Sequence, residues 1–152
     1  MVKETKNEIL NRLFVENNLT DEDVFKHKFY TIITRSGIDK IQAINNINIK
    51  YELIYNSPDL KFVVIKAIAT MGDKVIETYG ECSPNNNQNS YGVAMAEKRA
   101  MSRSCLKLTG FYEHNVFGEE DANKQTVKAL STFIFFILMS FLVLFGMGSI
   151  MG

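Results

Sequence analysis

The stretch LKFVVIKAIATMGDKVIETYGE, residues 60–81, decides the fold because it contains the clearest hairpin pattern in the chain. Its two β-rich arms meet at Gly72-Asp73, and Gly-Asp is a favoured two-residue turn between antiparallel strands. The first arm is apolar on both faces except for Lys61 and Lys66. The second arm alternates in the period-2 pattern of a half-exposed strand. The stretch therefore predicts a β-hairpin.

A helix is predicted next, after the Asn-rich loop CSPNNNQNS. In the segment MAEKRAMSRSCLKLTGF, residues 95–111, Arg99, Arg103 and Lys107 are spaced four residues apart. Side chains at this spacing share one face of a helix, and Gly110 lies where the helix would end. Three cations on one face are consistent with a solvated amphipathic surface or with a phosphate-binding surface. The spacing alone leaves both interpretations open.

The residues before the hairpin show helix and strand patterns in turn. An apolar stripe predicts a first helix, and Thr20 followed by three acids predicts the N-terminus of a short second helix. The β-branched and aromatic run KFYTIIT predicts a strand. The predicted elements are a helix over 3–15, a helix from Thr20, a strand over 28–34, a helix over 36–47 and a strand over 48–55.

The net charge of the 152-residue chain is zero, but the charges are distributed unevenly. Residues 26–107 contain 12 Lys or Arg against 7 Asp or Glu, a net charge of +5. Residues 1–25 carry −3 and residues 108–152 carry −2. A basic middle segment is compatible with an anionic partner even though the whole chain is neutral.

Catalytic and metal-binding motifs are absent from the sequence. The only histidines are His27 and His114, and no HExxH, CxxC, GxGxxG, Walker-type or GxSxG motif occurs. We therefore expect no enzymatic activity, no catalytic residue, no metal site and no cofactor. Cys82 and Cys105 lack a paired spacing, which favours free thiols in a reducing compartment.

The C-terminal run STFIFFILMSFLVLFGMGSIMG has no charged side chain and is long enough for a helix that crosses a bilayer. We predict a transmembrane helix over residues 131–151 after a linker over 122–130. Lys124 and Lys128 before the run would keep the preceding domain in the cytoplasm, as a tail-anchored protein. The alternatives are a buried hairpin or core helix, and a truncated or frame-shifted end. Without an anchor, the protein is expected in the host cytoplasm.

The helix segment and its neighbours resemble the single-strand annealing proteins. This superfamily includes the Erf- and Sak-type phage recombination proteins and the eukaryotic Rad fifty-two proteins. Their core helix has an E-K-R-A…L…G pattern, matched here by Glu97-Lys98-Arg99-Ala100, Leu106, Leu108 and Gly110. The stretch ITRSGIDKIQAINNINIKYELI is similar to their first core strand and helix, and the resemblance covers about residues 29–121.

The resemblance implies an α+β fold with a β-β-β-α core over residues 26–121, preceded by an N-terminal helical segment over 1–25. It also implies a homo-oligomer that binds single-stranded DNA and pairs complementary strands without ATP, in phage recombination or replication. The DNA-binding residues that it implies are Arg99, Arg103, Lys107 and Lys98 on the helix, with Lys61, Lys66 and Lys74 on the hairpin. Tyr79 or Tyr91 could stack on bases, although ordinary packing explains these tyrosines equally well.

A second function fits the neutral charge and the apolar tail. In this alternative, the chain is a small single-pass membrane protein whose α/β domain binds a protein partner. Salt distinguishes the two functions, since phosphate contacts weaken steeply as salt rises whereas an apolar protein interface responds far less. For DNA binding, replacing Arg99, Arg103 and Lys107 by Glu is expected to abolish binding without unfolding the domain.

Overall fold

The computed structural model describes residues 3–87, 90–122 and 134–140. The chain divides into two compact units, Met1–Ala122 and Asn123–Gly152. The first unit is an α+β fold that contains both the predicted N-terminal segment and the predicted core. Its elements are α1 (Lys6–Glu16), β1 (Val24–Lys26), β2 (Thr31–Ile33), α2 (Arg35–Ile44), β3 (Asn48–Asn56), β4 (Val63–Met71), β5 (Lys74–Cys82), α3 (Gly92–Leu108), a 3-10 turn (Tyr112–His114) and β6 (Val116–Gly118).

The larger sheet is an antiparallel meander in the order β3-β4-β5. The predicted hairpin is confirmed, with a continuous register from Val63 opposite Cys82 to Met71 opposite Lys74. Gly72 occupies the turn with a φ of +58°, which a residue with a side chain adopts only at a cost. Alternation along β4 and β5 gives the sheet one buried face and one face that is half-buried on β4 and mostly exposed on β5.

Helix α3 covers the buried face of β4 and β5. Gly80 allows this close approach, because a Cβ atom there would collide with the backbone carbonyl of Ala96. Thr78 is buried at the same contact, where its hydroxyl donates to the carbonyl oxygen of Ala100 at 2.8 Å. Ala96 and Ala100 are fully buried, so small side chains on one stripe of α3 bring the helix down onto the sheet.

The smaller sheet holds the N-terminal part of the fold against α3. Its order is β1-β2-β6, with β1 antiparallel and β6 parallel to β2. All three residues of β2 are buried. The core beside this sheet contains Leu10, Leu13, Ile33, Ile38, Ile41, Met101, Leu106, Phe111 and Val116. The helix α1 therefore shares one core with α2 and α3.

Two helix predictions need correction. The short second helix is wrong, because residues 21–23 form a turn that leads into β1. The carboxylate of Asp23 accepts hydrogen bonds from the backbone N–H of Thr20 at 2.9 Å and from its hydroxyl at 3.1 Å. It also accepts one from Lys40 at 2.6 Å, so it stabilises the turn and not the first turn of a helix. The helix predicted from residue 36 begins at Arg35, with Thr34 as its N-cap.

The predicted C-terminal transmembrane helix is also wrong. Of residues 131–151 the structure describes only 134–140, which are helical. Seven residues of α-helix rise about 10 Å, against about 30 Å for the hydrocarbon core of a bilayer. Among the described residues, no helix is both long and apolar enough to cross a membrane. The remainder of the predicted span, and most of the predicted linker, lie outside the described residues.

Candidate functional site

The predicted cations of α3 have different surroundings in the structure. Arg99 is 1% exposed, Arg103 is partly buried, and Lys98 and Lys107 are exposed. The loop after β5 and the helical turn at residues 119–122 cover the arginines. The helix therefore does not present Arg99, Arg103 and Lys107 as one open basic surface.

Arg99 joins three separate parts of the chain. Its Nη1 donates to the carbonyl oxygen of Glu81 at 2.7 Å and to Oδ1 of Asn86 at 3.1 Å. Its Nη2 donates to the carbonyl oxygen of Asn86 at 2.7 Å, and its Nε to that of Glu120 at 3.1 Å. The carboxylate of Asp121 lies 3.9 Å from Nε. A phosphate could reach this guanidinium only after these contacts had broken.

Arg103 lies in a second ionic network beside the first. Its Nε and Nη2 bind the two carboxylate oxygens of Asp121 at 3.0 and 2.7 Å. Its Nη1 donates to the carboxylate of Glu81 and to the carbonyl oxygen of Tyr79, both at 2.6 Å. Burial alone would lower the pKa of Arg103, but the hydrogen bonds that Arg103 donates to Asp121 and Glu81 outweigh it and raise that pKa. Two carboxylates therefore compete directly with any phosphate for this side chain.

The predicted hairpin lysines do not extend the α3 surface. Lys66 projects from the face of the sheet opposite α3, where its Nζ lies 3.0 Å from Glu77 and 3.7 Å from Glu52. The hydrogen bond that Lys66 donates to Glu77 raises the pKa of Lys66. Lys61 is exposed in the turn before β4, and Lys74 is exposed at the tip of the hairpin. The seven predicted cations therefore do not line a single groove.

A different surface combines aromatic rings with cations, the β1–β2 hairpin over Phe25–Tyr30. The rings of Phe25 and Phe29 are 62% and 68% exposed. Lys28 places its Nζ 5.5 Å from the centre of the Phe29 ring, and His27 stacks on Tyr30 with ring centres 4.5 Å apart. Exposed Phe rings this close to lysines offer base stacking and phosphate contact together.

The hairpin is held firmly to the core at its base. Residues of β1 and β2 pair from Val24 opposite Ile33 to Lys26 opposite Thr31, and β2 is buried between β1 and β6. The backbone N–H of His27 donates to the carbonyl oxygen of Tyr30 at 2.8 Å and closes the turn. Lys26 places its Nζ 5.4 Å from the centre of the Phe14 ring of α1.

The Phe25–Tyr30 hairpin itself carries Lys26 and Lys28 and no acidic side chain. The exposed acids Asp21 and Glu22 come shortly before it, so the positive charge is local to the hairpin. The preceding acid, Asp23, is buried and ion-paired with Lys40 at 2.6 Å. Burial would raise the pKa of Asp23, but the bonds from Lys40 and Thr20 lower it to about 2. Its negative charge is therefore balanced inside the fold.

This surface was not predicted, although the sequence contains a signal for it. The letters FKHKFY, residues 25–30, alternate aromatic and basic side chains. The prediction of one strand over residues 28–34 assigns Phe29 and Tyr30 to strand packing, and it is wrong for residues 28–30. In the structure the strand begins at Thr31, and the residues before it form the turn.

The described residues give no support to metal or thiol chemistry. Within them, no three His, Cys, Asp or Glu side chains lie close enough together to hold a metal ion. Cys82 and Cys105 are both buried free thiols. Burial raises the pKa of Cys105 to about 12, so its reactive thiolate form is suppressed at neutral pH.

The chain matches no protein-family model, no curated protein and no solved structure. The resemblance to the single-strand annealing proteins, and the function that it implies, therefore stay predictions.

Proposed function

We propose that this protein binds single-stranded DNA and that the Phe25–Tyr30 hairpin is its principal contact. The supporting observation is the pair of exposed rings, Phe25 and Phe29, interleaved with Lys26 and Lys28 on a hairpin anchored in the core. Stacking on an aromatic ring tolerates any base, and lysine contacts to phosphate are independent of sequence. The hairpin therefore suits binding without sequence preference.

The resemblance adds a second part to the proposal, the ATP-independent pairing of complementary strands. A protein that anneals strands must leave the hydrogen-bonding edges of the bases available. A Phe ring that stacks on the face of a base leaves those edges exposed. This part of the proposal rests on the binding part and is tested after it.

The binding test titrates the full chain against a fluorescently labelled oligothymidine at several salt concentrations. Because residues 129–152 carry no charged side chain, all proteins are kept in one mild detergent. Replacing Phe25 or Phe29 by Ala is expected to weaken binding by about 5- to 150-fold, since stacking contributes about 1–3 kcal/mol per base. Phe62→Ala, at an exposed aromatic ring in the turn before β4, is the matched control.

The lysines are tested by the salt dependence of binding. Each phosphate contact on a single strand contributes about 0.7 to the slope of log K against log salt concentration. The double variant Lys26→Gln/Lys28→Gln is therefore expected to reduce that slope by about 1.4. The control is Lys3→Gln/Lys6→Gln, which removes two exposed cations near the start of α1. Equal effects of the two double variants would contradict the hairpin as the contact.

The exposed cations of α3 and of the larger hairpin stay candidates for secondary contacts. Lys98→Gln/Lys107→Gln and Lys61→Gln/Lys74→Gln are expected to change the salt slope less than the Phe25–Tyr30 hairpin variant. If the wild-type chain binds DNA weakly and without salt dependence, the proposal fails. The alternative function, binding of a protein partner, then fits better.

A further inference from the structure

The two edges of the larger sheet differ in how they are covered. On β5, the carbonyl oxygens of Tyr79 and Glu81 accept hydrogen bonds from Arg103 and Arg99. These guanidiniums also bind residues 120 and 121, so side chains and a backbone segment cover that edge. A strand of another molecule could pair with β5 only by displacing this network.

The β3 edge has no such cover in the described part of the chain. There, β3 pairs with β4 alone, and eight of its nine residues are exposed. The exposed residues include Tyr51, Leu53 and Ile54. An open edge of this length with apolar side chains is a template for pairing with another strand, and natural proteins rarely leave one uncovered.

The sequence of β3 is complementary to itself when reversed about Tyr51. In an antiparallel pair of two β3 strands centred there, Lys50 of one copy lies opposite Glu52 of the other. Both residues belong to the face away from α3, since they pair with Ile68 and Lys66 of β4. Opposite charges directly across such a pair stabilise it.

The other face of the same register is apolar. Ile49 of one copy lies opposite Leu53 of the other, and both belong to the face that carries α3, because they pair with Ala69 and Ile65. A register shift between Leu53 and Tyr55 interrupts the ladder beyond this point. The pattern therefore fits one register over residues 48–54, in which each favourable contact occurs twice.

We propose that the β3 edge binds the β3 edge of a second copy in antiparallel orientation, with the two-fold axis at Tyr51. The product is a closed dimer with a continuous six-stranded sheet. Pairing of β3 with β5 would give an open or ring-shaped assembly, and the cover on β5 opposes it. This dimer does not depend on the proposed DNA binding.

The first test is a cross-link at the axis. In the dimer, the two copies of residue 51 are opposite one another, close enough for a disulfide after a small adjustment. Full-length Tyr51→Cys is oxidised and analysed by non-reducing electrophoresis, and we expect a disulfide-linked dimer. Cys82 and Cys105 are buried and do not compete. Val75→Cys, exposed on β5, is the control and is expected to stay monomeric on the gel.

The second test reverses charges and needs no new thiol. Lys50→Glu places like charges opposite one another at two positions, and we expect the dimer dissociation constant to rise about tenfold or more. The double variant Lys50→Glu/Glu52→Lys restores the opposite pairs and is expected to recover most of the affinity. Lys74→Glu makes the same charge change at the hairpin tip and is the control.

Sedimentation of all four proteins in the same detergent gives the dissociation constants. If Lys50→Glu dimerises as tightly as the wild type, or if Tyr51→Cys forms no more disulfide-linked dimer than Val75→Cys, the pairing of β3 edges is wrong.

Discussion

Replacing Arg99 by Met tests whether this buried cation supports the fold or binds DNA. The change removes four hydrogen bonds and leaves the carbonyl oxygens of Glu81, Asn86 and Glu120 without this donor. It also leaves Arg103 as the remaining cation beside the buried carboxylate of Asp121, which lies 3.9 Å from Nε of Arg99. Breaking one side of a buried ionic network costs about 3–5 kcal/mol, and we expect a loss of that size in the free energy of unfolding.

The measurement is urea unfolding of the full chain in detergent, followed by far-ultraviolet circular dichroism. Lys98→Met, which changes the neighbouring exposed cation, is the matched control and is expected to shift stability by less than about 0.5 kcal/mol. DNA affinity is measured on both variants at a temperature where each is folded. We expect Arg99→Met, while folded, to retain most of the wild-type affinity.

The opposite result would refute the structural role. If Arg99→Met unfolds at the same urea concentration as the wild type but binds DNA far more weakly, its guanidinium contacts phosphate. The structural role also changes the expectation for Glu in place of Arg99, Arg103 and Lys107. A carboxylate at position 99 would be buried among carbonyl oxygens, so that triple variant is now expected to unfold.

Three further predictions concern stability. Asp23→Asn is expected to lower the free energy of unfolding by about 1–2 kcal/mol at pH 7 but by little near pH 2. The lowered pKa of Asp23 stabilises the fold above about pH 3.8, and this contribution is lost as the pH falls toward 2. Acid titration of both proteins checks this, and a loss of stability that does not depend on pH would contradict it. Glu120→Gln is expected to stabilise the chain at pH 8 but not at pH 4. Burial raises the pKa of Glu120 above 4.5, so ionisation of this carboxyl in the folded state opposes folding. Thermal melts at the two pH values measure this, and an equal effect at both would count against it. Gly80→Ala should lower stability by about 1–3 kcal/mol through collision with α3, and an unchanged urea midpoint would show that the helix is not packed so closely.

The features that the sequence predicted well depend on local signals. The alternation in β5 and the Gly72-Asp73 turn lie within one continuous stretch, and the hairpin register follows from them. The helix α1 starts three residues after the predicted start, because Thr5 and Glu8 form a capping box there, a local signal that the apolar stripe does not show. The acids after Thr20 wrongly predicted a helix. Asp23 binds Lys40, which lies 17 residues further along the chain, and a local pattern does not show such a partner.

The burial of Arg99 and Arg103 was not predictable from α3 itself. Spacing on a helix shows which side chains share a face but not which part of the chain covers that face. The covering groups come from Asn86, 13 residues before Arg99, and from Asp121, 18 residues after Arg103. The exposure of the Phe25 and Phe29 rings was not predictable for a different reason, because a turn and a strand can contain the same aromatic and β-branched residues.

The contacts of the two arginines also set a lower limit on how far the first unit can be shortened. A fragment that stops at Gly118 would contain every strand and helix from α1 to β6. It would nevertheless lack the Glu120 carbonyl that receives Arg99 and the Asp121 carboxylate that neutralises Arg103. Arg99 and Arg103 would then each lack one of their hydrogen-bond acceptors. An expression fragment designed from secondary structure alone would therefore be cut too early, and one that extends through Ala122 keeps these partners.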